Sequence, residues 1–136
     1  METFVWPVRV YYEDTDSGGV VYYANYLKFM ERARTEWLRV HGLEQDELLR
    51  DQRVLFAVRS LSVDYHRPAR FNDRLEVISR VTATGGASLT FAQTIQRAGS
   101  AELLCSARIR VACIGASHFQ PCRMPRELMR KMISDT

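Results

Sequence analysis

One change of periodicity constrains this chain more than any other feature. From about Ala24 to His41 the apolar residues recur at helical spacing, whereas from Val54 to Ile114 they alternate. In the first region Tyr26, Met30, Ala33, Trp37 and Val40 make one stripe, flanked by Leu27, Arg34 and Leu38. Large side chains on two neighbouring stripes predict a helix enclosed on more than one side. Gly42 follows where a helix end takes a residue with positive φ.

The alternating half reads as a meander. Val54 to Tyr65 is β-branched and aromatic and stops at Arg67-Pro68, where a central strand cannot continue. Arg74 to Thr84 sets Leu75, Val77, Ser79 and Val81 against Glu76, Ile78, Arg80 and Thr82. Gly85-Gly86 signals a hairpin, Ser88 to Arg97 returns, and Ala98-Gly99-Ser100 turns again. Glu102 to Ile114 then places Leu103, Cys105, Ala107, Ile109, Val111 and Cys113 on one face. Ahead of the helix, Val8, Val10 and Tyr12 predict one side of a half-buried strand. Glu44 to Arg50 predicts an exposed turn or two, and Pro125 opens a C-terminal helix with Leu128, Met129, Met132 and Ile133 as its apolar side. The class is α+β, with an antiparallel sheet wrapped around one long helix. At 136 residues, with no repeat or linker, residues 1–136 form a single domain.

Composition narrows the function. An apolar share of 46% and a charged share of 26% are those of a soluble globular protein. No apolar run approaches the roughly 18 residues needed to span a bilayer, and METFVWPVRV lacks the basic and apolar regions of a signal peptide. A cytoplasmic location is the expectation. Net charge is only +3, with Lys and Arg scattered along the chain, so nucleic acid is not expected and an anionic small molecule suits the surface. Cys105, Cys113 and Cys122 are odd in number with no C-x-x-C pair, which predicts free buried thiols and no zinc site.

The chemistry concentrates between Tyr11 and Arg34. Glu13, Asp14 and Asp16 precede the turn Gly18-Gly19, and the long helix begins a few residues later. A helix start carries partial positive charge and N–H groups without intrahelical partners. A carboxylate beside those donors could attack, or activate water against, a carbonyl whose oxygen points at the helix. On residue type and spacing alone, Asp16 reads first as a turn aspartate bonding its own backbone, as Asp commonly does before glycine. Asp14-x-Asp16 as a magnesium phosphatase motif would need a doubly wound parallel sheet, which the meander excludes. Asp14 reads as structural. Glu31, with Arg34 three residues on, reads as part of a solvated or ion-paired face. His41 reads as a cap on the helix end.

The run Tyr12-Glu13-Asp14-Thr15-Asp16-x-Gly18-Gly19-Val20-Val21-Tyr22, followed by Tyr26 and by Glu31-Arg32-Ala33-Arg34-Thr35-Glu36, resembles the hotdog-fold acyl-CoA thioesterases of the 4-hydroxybenzoyl-CoA thioesterase type. More narrowly it is similar to the YbgC-type thioesterases associated with the Tol–Pal system of Gram-negative bacteria. Val63-x-Tyr65, Pro68-Ala69-Arg70-x-x-Asp73 and Ser88 extend the match. The resemblance implies a sheet around a central helix, a homodimer or homotetramer with sites at the subunit interface, and hydrolysis of the acyl-CoA thioester without metal or other cofactor. It implies Asp16 as the reacting carboxylate and the N–H groups near Tyr23 and Ala24 as oxyanion donors. Gly19, Val20, Tyr26 and Ser88 are then expected to contact substrate, and His66, Arg67 and Arg70 are candidates for the CoA phosphates, since guanidinium suits bidentate phosphate contact.

This chain departs from those patterns twice. YbgC-type members commonly have histidine where Tyr23 stands, and the hydroxybenzoyl type places basic residues where this chain has Gly85-Gly86-Ala87. A hotdog hydratase would want a histidine at the helix start, which Tyr23 argues against. The alternative from another class is a non-catalytic acyl-CoA or acyl-carrier binding protein. The basic amphipathic C-terminal helix, with Arg126, Arg130 and Lys131, would fit an anionic membrane surface, although packing on its own domain is the plainer expectation.

Overall fold

The computed structural model describes residues 3–134, with side chains as far as 131. Five antiparallel strands stand in the order β1-β3-β4-β5-β2: β1 Phe4–Arg9, β2 Val54–Tyr65, β3 Arg74–Thr84, β4 Ser88–Arg97 and β5 Leu103–Gly115. The helices are α1 Asn25–Val40, α2 Gln45–Gln52 and α3 Arg126–Ser134, with a 3₁₀ turn at Tyr12–Asp14. β1 and β2 are therefore the sheet edges, which is where Pro7, opposite Glu76, can sit without an N–H to give.

The inner face of the sheet is built from alternate residues. Leu75, Val77, Ser79 and Val81 of β3, Leu89, Phe91, Gln93 and Ile95 of β4, and Cys105, Ile109, Val111 and Cys113 of β5 are all buried. α1 lays Tyr26, Phe29, Met30, Ala33, Trp37 and Leu38 on that face. The edge of Trp37 meets the ring of Phe91 at 5.2 Å. Sheet and helix form the hotdog arrangement.

Inside this apolar layer lies one polar knot. Gln93 donates to Met30 O at 3.0 Å and to Ser79 Oγ at 2.8 Å, and its Oε1 accepts from Arg34 at 2.9 Å. Both amide hydrogens and one lone pair of the carbonyl oxygen are thereby used, which leaves neither end of this buried amide unpaired.

Several expectations are corrected. The first strand spans Phe4–Arg9, not Val8 to Tyr12. Val8 and Val10 do face inward, but Tyr12 is 79% exposed. The cause is local: Asp14 Oδ2 accepts the Tyr11 N–H at 2.8 Å while the Asp14 N–H reaches Tyr11 O, so side chain and turn take bonds a ladder would have used. Val40 is 64% exposed, and Phe29 takes the buried place it was given. The β4–β5 register slips between Ile95 and Gln96 of β4, opposite Cys105 and Leu103, so that Leu104 is the extra residue on β5; Leu103 turns outward and Leu104 is buried. Glu31 is exposed, as the solvated alternative for it expects, and its Oε1 accepts from Thr35; Arg34 makes no ion pair with it among the described residues and turns inward to Gln93.

Glu44 to Arg50 forms the two-turn helix α2, which hides only Leu48. His41 does close α1, its ring nitrogen lying 2.7 Å from Trp37 O, and Gly42 follows with φ 79°. α3 sends Leu128 into the core, with Met129 packed beside it. Met132 and Ile133 lie outside the described side chains. Among the described residues no helix is long and apolar enough to cross a membrane.

Candidate active site

The segment between Asp14 and Tyr22 is a loop stitched to the start of α1. Thr15 bridges Val21, the Tyr22 N–H donates to Asp14 O at 3.0 Å, and buried Asn25 donates Nδ2–H to the same carbonyl at 2.8 Å. The Asn25 N–H in turn donates to Tyr22 O at 2.9 Å. Asn25 was not singled out from the sequence. Only its distance from Asp14 in space, not its place in the chain, makes it the clasp of this loop.

Within the loop Asp16 forms an Asx turn. Its Oδ1 accepts the Gly18 N–H at 2.8 Å, its backbone carbonyl accepts from Gly19, and its N–H donates to Val20 O at 2.9 Å. Gly19 has φ 80°, a left-handed conformation that costs an L side chain but not glycine. Asp16 is exposed, and its second carboxylate oxygen has no partner among the described residues.

The helix start is chemically unfinished. Its N-cap is Ala24, with no side chain to offer, and its first turn holds no acidic residue. N-caps normally supply an oxygen to the orphan N–H groups. Among the described residues the N–H groups of Tyr23 and Ala24 meet no acceptor. The site therefore offers amide donors, the positive end of a 16-residue helix and an exposed carboxylate on a loop clasped to that helix.

A second segment holds the loop from the other side. Val20 bridges Arg70, and the Val21 N–H donates to Ala69 O at 2.8 Å. The Ala69 N–H donates to the Tyr26 hydroxyl at 3.0 Å. Asp73 accepts the Arg70 N–H at 2.8 Å and pairs with Arg97. Pro68-Ala69-Arg70-x-x-Asp73 thus acts as a brace.

The candidate residues separate accordingly. Asp16, Gly19, Val20 and the Arg70 backbone come together in the loop, and Tyr22 and Asn25, which flank Tyr23 and Ala24, bond that loop to the helix start through Asp14. Tyr26, expected on the apolar stripe of the helix and in contact with substrate, is only 3% exposed, and its hydroxyl accepts from the Ala69 N–H. Burial pushes its phenol above the ordinary tyrosine value, with the Ala69 N–H opposing. His66 is engaged by Ser106 Oγ at 2.9 Å, and Arg67 stands 4.0 Å from Glu102. Ser88 pairs with Ala112 at the β3–β4 hairpin, at the Trp37 end of α1, away from Asp16 in the same chain. Tyr65, given no role from the sequence, donates its hydroxyl to Tyr23 O at 3.0 Å. The Tyr22, Tyr23 and Tyr65 rings form an exposed aromatic rim beside the helix start.

Fold and site together define a thioesterase-type hotdog domain. The family model described as "Thioesterase superfamily" matches residues 18–104, starting two residues after Asp16. The chain belongs to that superfamily. It is 47% identical over 126 residues to the acyl-CoA thioester hydrolase YbgC of Escherichia coli O6:H1, covering 93% of this chain and 92% of that protein. With the acyl-CoA thioesterase YbgC of Haemophilus influenzae the identity is 44% over 125 residues, covering 92% and 90%. Among solved structures, a probable thioesterase from Bartonella henselae superposes with a TM-score of 0.86 at 32% identity, covering 91% of this chain and all of that one. A 1,4-dihydroxy-2-naphthoyl-CoA thioesterase from Synechocystis superposes at 0.90 with 26% identity, covering 97% and 96%.

Proposed function

We propose that this protein hydrolyses the thioester bond of acyl-CoA, with Asp16 as the reacting carboxylate. The observation that carries the reading is the clasped loop: an exposed carboxylate with one oxygen held and, among the described residues, one without a partner, tied to a helix start where the Tyr23 and Ala24 N–H groups meet no acceptor among those residues. The thioester carbonyl oxygen would accept from the Tyr23 and Ala24 N–H groups, which meet the negative charge as the carbonyl becomes tetrahedral. By one route Asp16 attacks the carbonyl carbon, CoA leaves as thiolate and takes a proton from solvent, and water then cleaves the mixed anhydride to free acid and Asp16. By the other, Asp16 takes a proton from the water that attacks.

Asp16→Asn should lower turnover by roughly 10²–10⁴-fold while leaving the fold intact. A normally folded variant with near wild-type release of CoA thiol would refute the assignment. Single-turnover reaction in ¹⁸O-water separates the routes, since the anhydride path first labels the protein carboxylate. A thiol-trapping assay on the wild type excludes the reading as a mere acyl-CoA or acyl-carrier binding protein only if free thiol accumulates.

The working unit is proposed to be a homodimer or homotetramer. β2 is an unpaired edge, and on it Val58 and Leu61 are each 45% exposed, so a second copy would cover apolar surface and satisfy a bare strand. Arg70 is proposed to meet a CoA phosphate, because its guanidinium has no acidic partner among the described residues. The cytoplasm, where CoA esters are made, and the Tol–Pal association remain part of the proposal through the resemblance alone.

A further inference from the structure

We propose that Tyr65 is a positioning residue for the reaction: by holding the Tyr23 carbonyl it aims the Ala24 N–H at the thioester oxygen. The inference rests on the hydrolase reading above and adds a residue that acts through a peptide unit, not on the substrate. A trans peptide unit is planar, with its C=O and N–H pointing in opposite directions, and no cis bond occurs among the described residues. Holding the carbonyl of one residue therefore fixes the direction of the next N–H. The two donors proposed for the oxyanion belong to the units Tyr22–Tyr23 and Tyr23–Ala24. The first unit is held by the chain itself, since the Asn25 N–H donates to Tyr22 O at 2.9 Å. The second has no backbone partner. α1 begins only at Asn25, so Tyr23 O lies outside the helical ladder, and among the described residues the donor that meets it is the Tyr65 hydroxyl, at 3.0 Å. Without that bond the unit is free to turn, and the Ala24 N–H turns with it.

Tyr65 is itself well anchored. It is the last residue of β2, opposite Cys105, and the next two N–H groups, those of His66 and Arg67, both donate to Leu104 O, at 2.9 and 3.1 Å. Its ring stands edge-on to Tyr26 at 5.5 Å and to Tyr23 at 6.3 Å. Tyr26 is buried on α1, so strand and helix together set where the hydroxyl points. The bond also acts electrostatically. A donor on the carbonyl oxygen polarises the whole peptide unit and makes its N–H the stronger donor, as in any chain of hydrogen bonds. The Tyr65 hydroxyl, the Tyr23–Ala24 unit and the thioester oxygen then form one such chain, which matters most as negative charge develops on that oxygen.

Removing an oxyanion donor outright lowers kcat by roughly 10²–10³-fold. Tyr65→Phe keeps the donor but loosens it, so kcat should fall about tenfold while KM stays within about twofold of wild type, because the lost interaction belongs to the transition state. The peptide unit can also be watched directly. The dipeptide Tyr-Ala occurs once in this sequence, at Tyr23-Ala24. Protein with ¹³C at the tyrosine carbonyls and ¹⁵N at the alanines therefore gives a single carbonyl–amide correlation by NMR, that of this unit.

The test compares wild type with Tyr65→Phe in steady-state hydrolysis, using whichever ester of an acetyl-, octanoyl-, palmitoyl- and benzoyl-CoA panel the wild type turns over fastest, and in the labelled NMR signal. The expected result is the fall in kcat together with an upfield move of the Tyr23 carbonyl signal, as a carbonyl shows on losing a donor. A kcat within about twofold of wild type, a loss carried by KM alone, or an unmoved carbonyl signal overturns the inference. If no ester releases thiol, the hydrolase reading has failed on its own. The bound ester is then stable, and infrared difference spectroscopy of its thioester carbonyl decides. A lower stretching frequency in wild type than in Tyr65→Phe upholds the inference, and equal frequencies overturn it. If Tyr65→Phe does not fold, 3-fluorotyrosine placed at position 65 supplies a stronger donor instead. A downfield move of the Tyr23 carbonyl signal then upholds the inference, and an unmoved one overturns it.

Discussion

Replacing Tyr26 with phenylalanine removes one oxygen and tests the brace under the Asp16 loop. The hydroxyl accepts the Ala69 N–H at 3.0 Å, and Ala69 is fully buried, so no water can stand in. The ring stays, with its edge contacts to Phe29 at 6.3 Å and Tyr65 at 5.5 Å. The loss is thus one orphaned backbone donor, which costs about 1–3 kcal/mol. For a domain of this size about 4 °C of Tm corresponds to each kcal/mol, so Tm should fall by roughly 4–12 °C. Because the Ala69 carbonyl also holds the Val21 N–H, the loop bearing Asp16 loosens with it, and kcat should drop more than KM changes. Differential scanning calorimetry on Tyr26→Phe, with Tyr12→Phe as an exposed control, reads the first effect, and steady-state hydrolysis reads the second. A Tm equal to wild type in both variants would refute the claim that this bond braces the loop.

Asn25→Ala should leave the helix in place but unclasp Asp14, cutting kcat/KM about tenfold through misplacement of the loop; unchanged kinetics would show that the Tyr22 bond to Asp14 suffices. For the thiols, burial pushes Cys105 and Cys113 up to about 12, with the Cys122 thiol assisting at Cys113. Both should resist alkylation at pH 8 in the native state and react on unfolding, which mass spectrometry of iodoacetamide-treated protein would show. Because a raised thiol value favours the folded, neutral form, this contribution is complete below pH 9 and is lost as pH rises toward 12. Melting temperatures across that window that stay flat for wild type, as for a Cys105→Ala variant, would contradict it.

The legible parts were those decided by neighbours in sequence. The strands β2, β3 and β4 fall where alternation and the Gly85-Gly86 turn place them, and α1 runs from Asn25 to Val40 within a residue of its expected limits. The first strand was misjudged because Asp14 competes for backbone donors, and Leu103 because a bulge reverses alternation for one residue. Neither event leaves a periodic trace. In the site, the acidic loop and the bare helix start could be read as residue types, but not the residues that hold them. Tyr26 and Ala69 are 43 apart in the chain, and Tyr23 and Tyr65 are 42 apart.

The sequence by itself determined the α+β class, the hairpins and the placing of an acidic loop just ahead of the long helix, because spacing and turn chemistry act over a few residues. Only the tertiary structure decided that the Tyr26 hydroxyl holds the Ala69 N–H, that Ser88 stands away from Asp16, and that Arg34 turns from Glu31 to Gln93, 59 residues on. Such contacts depend on which strand lies beside the helix and in which register. Those are settled when the whole sheet closes over α1, not by any short stretch of chain.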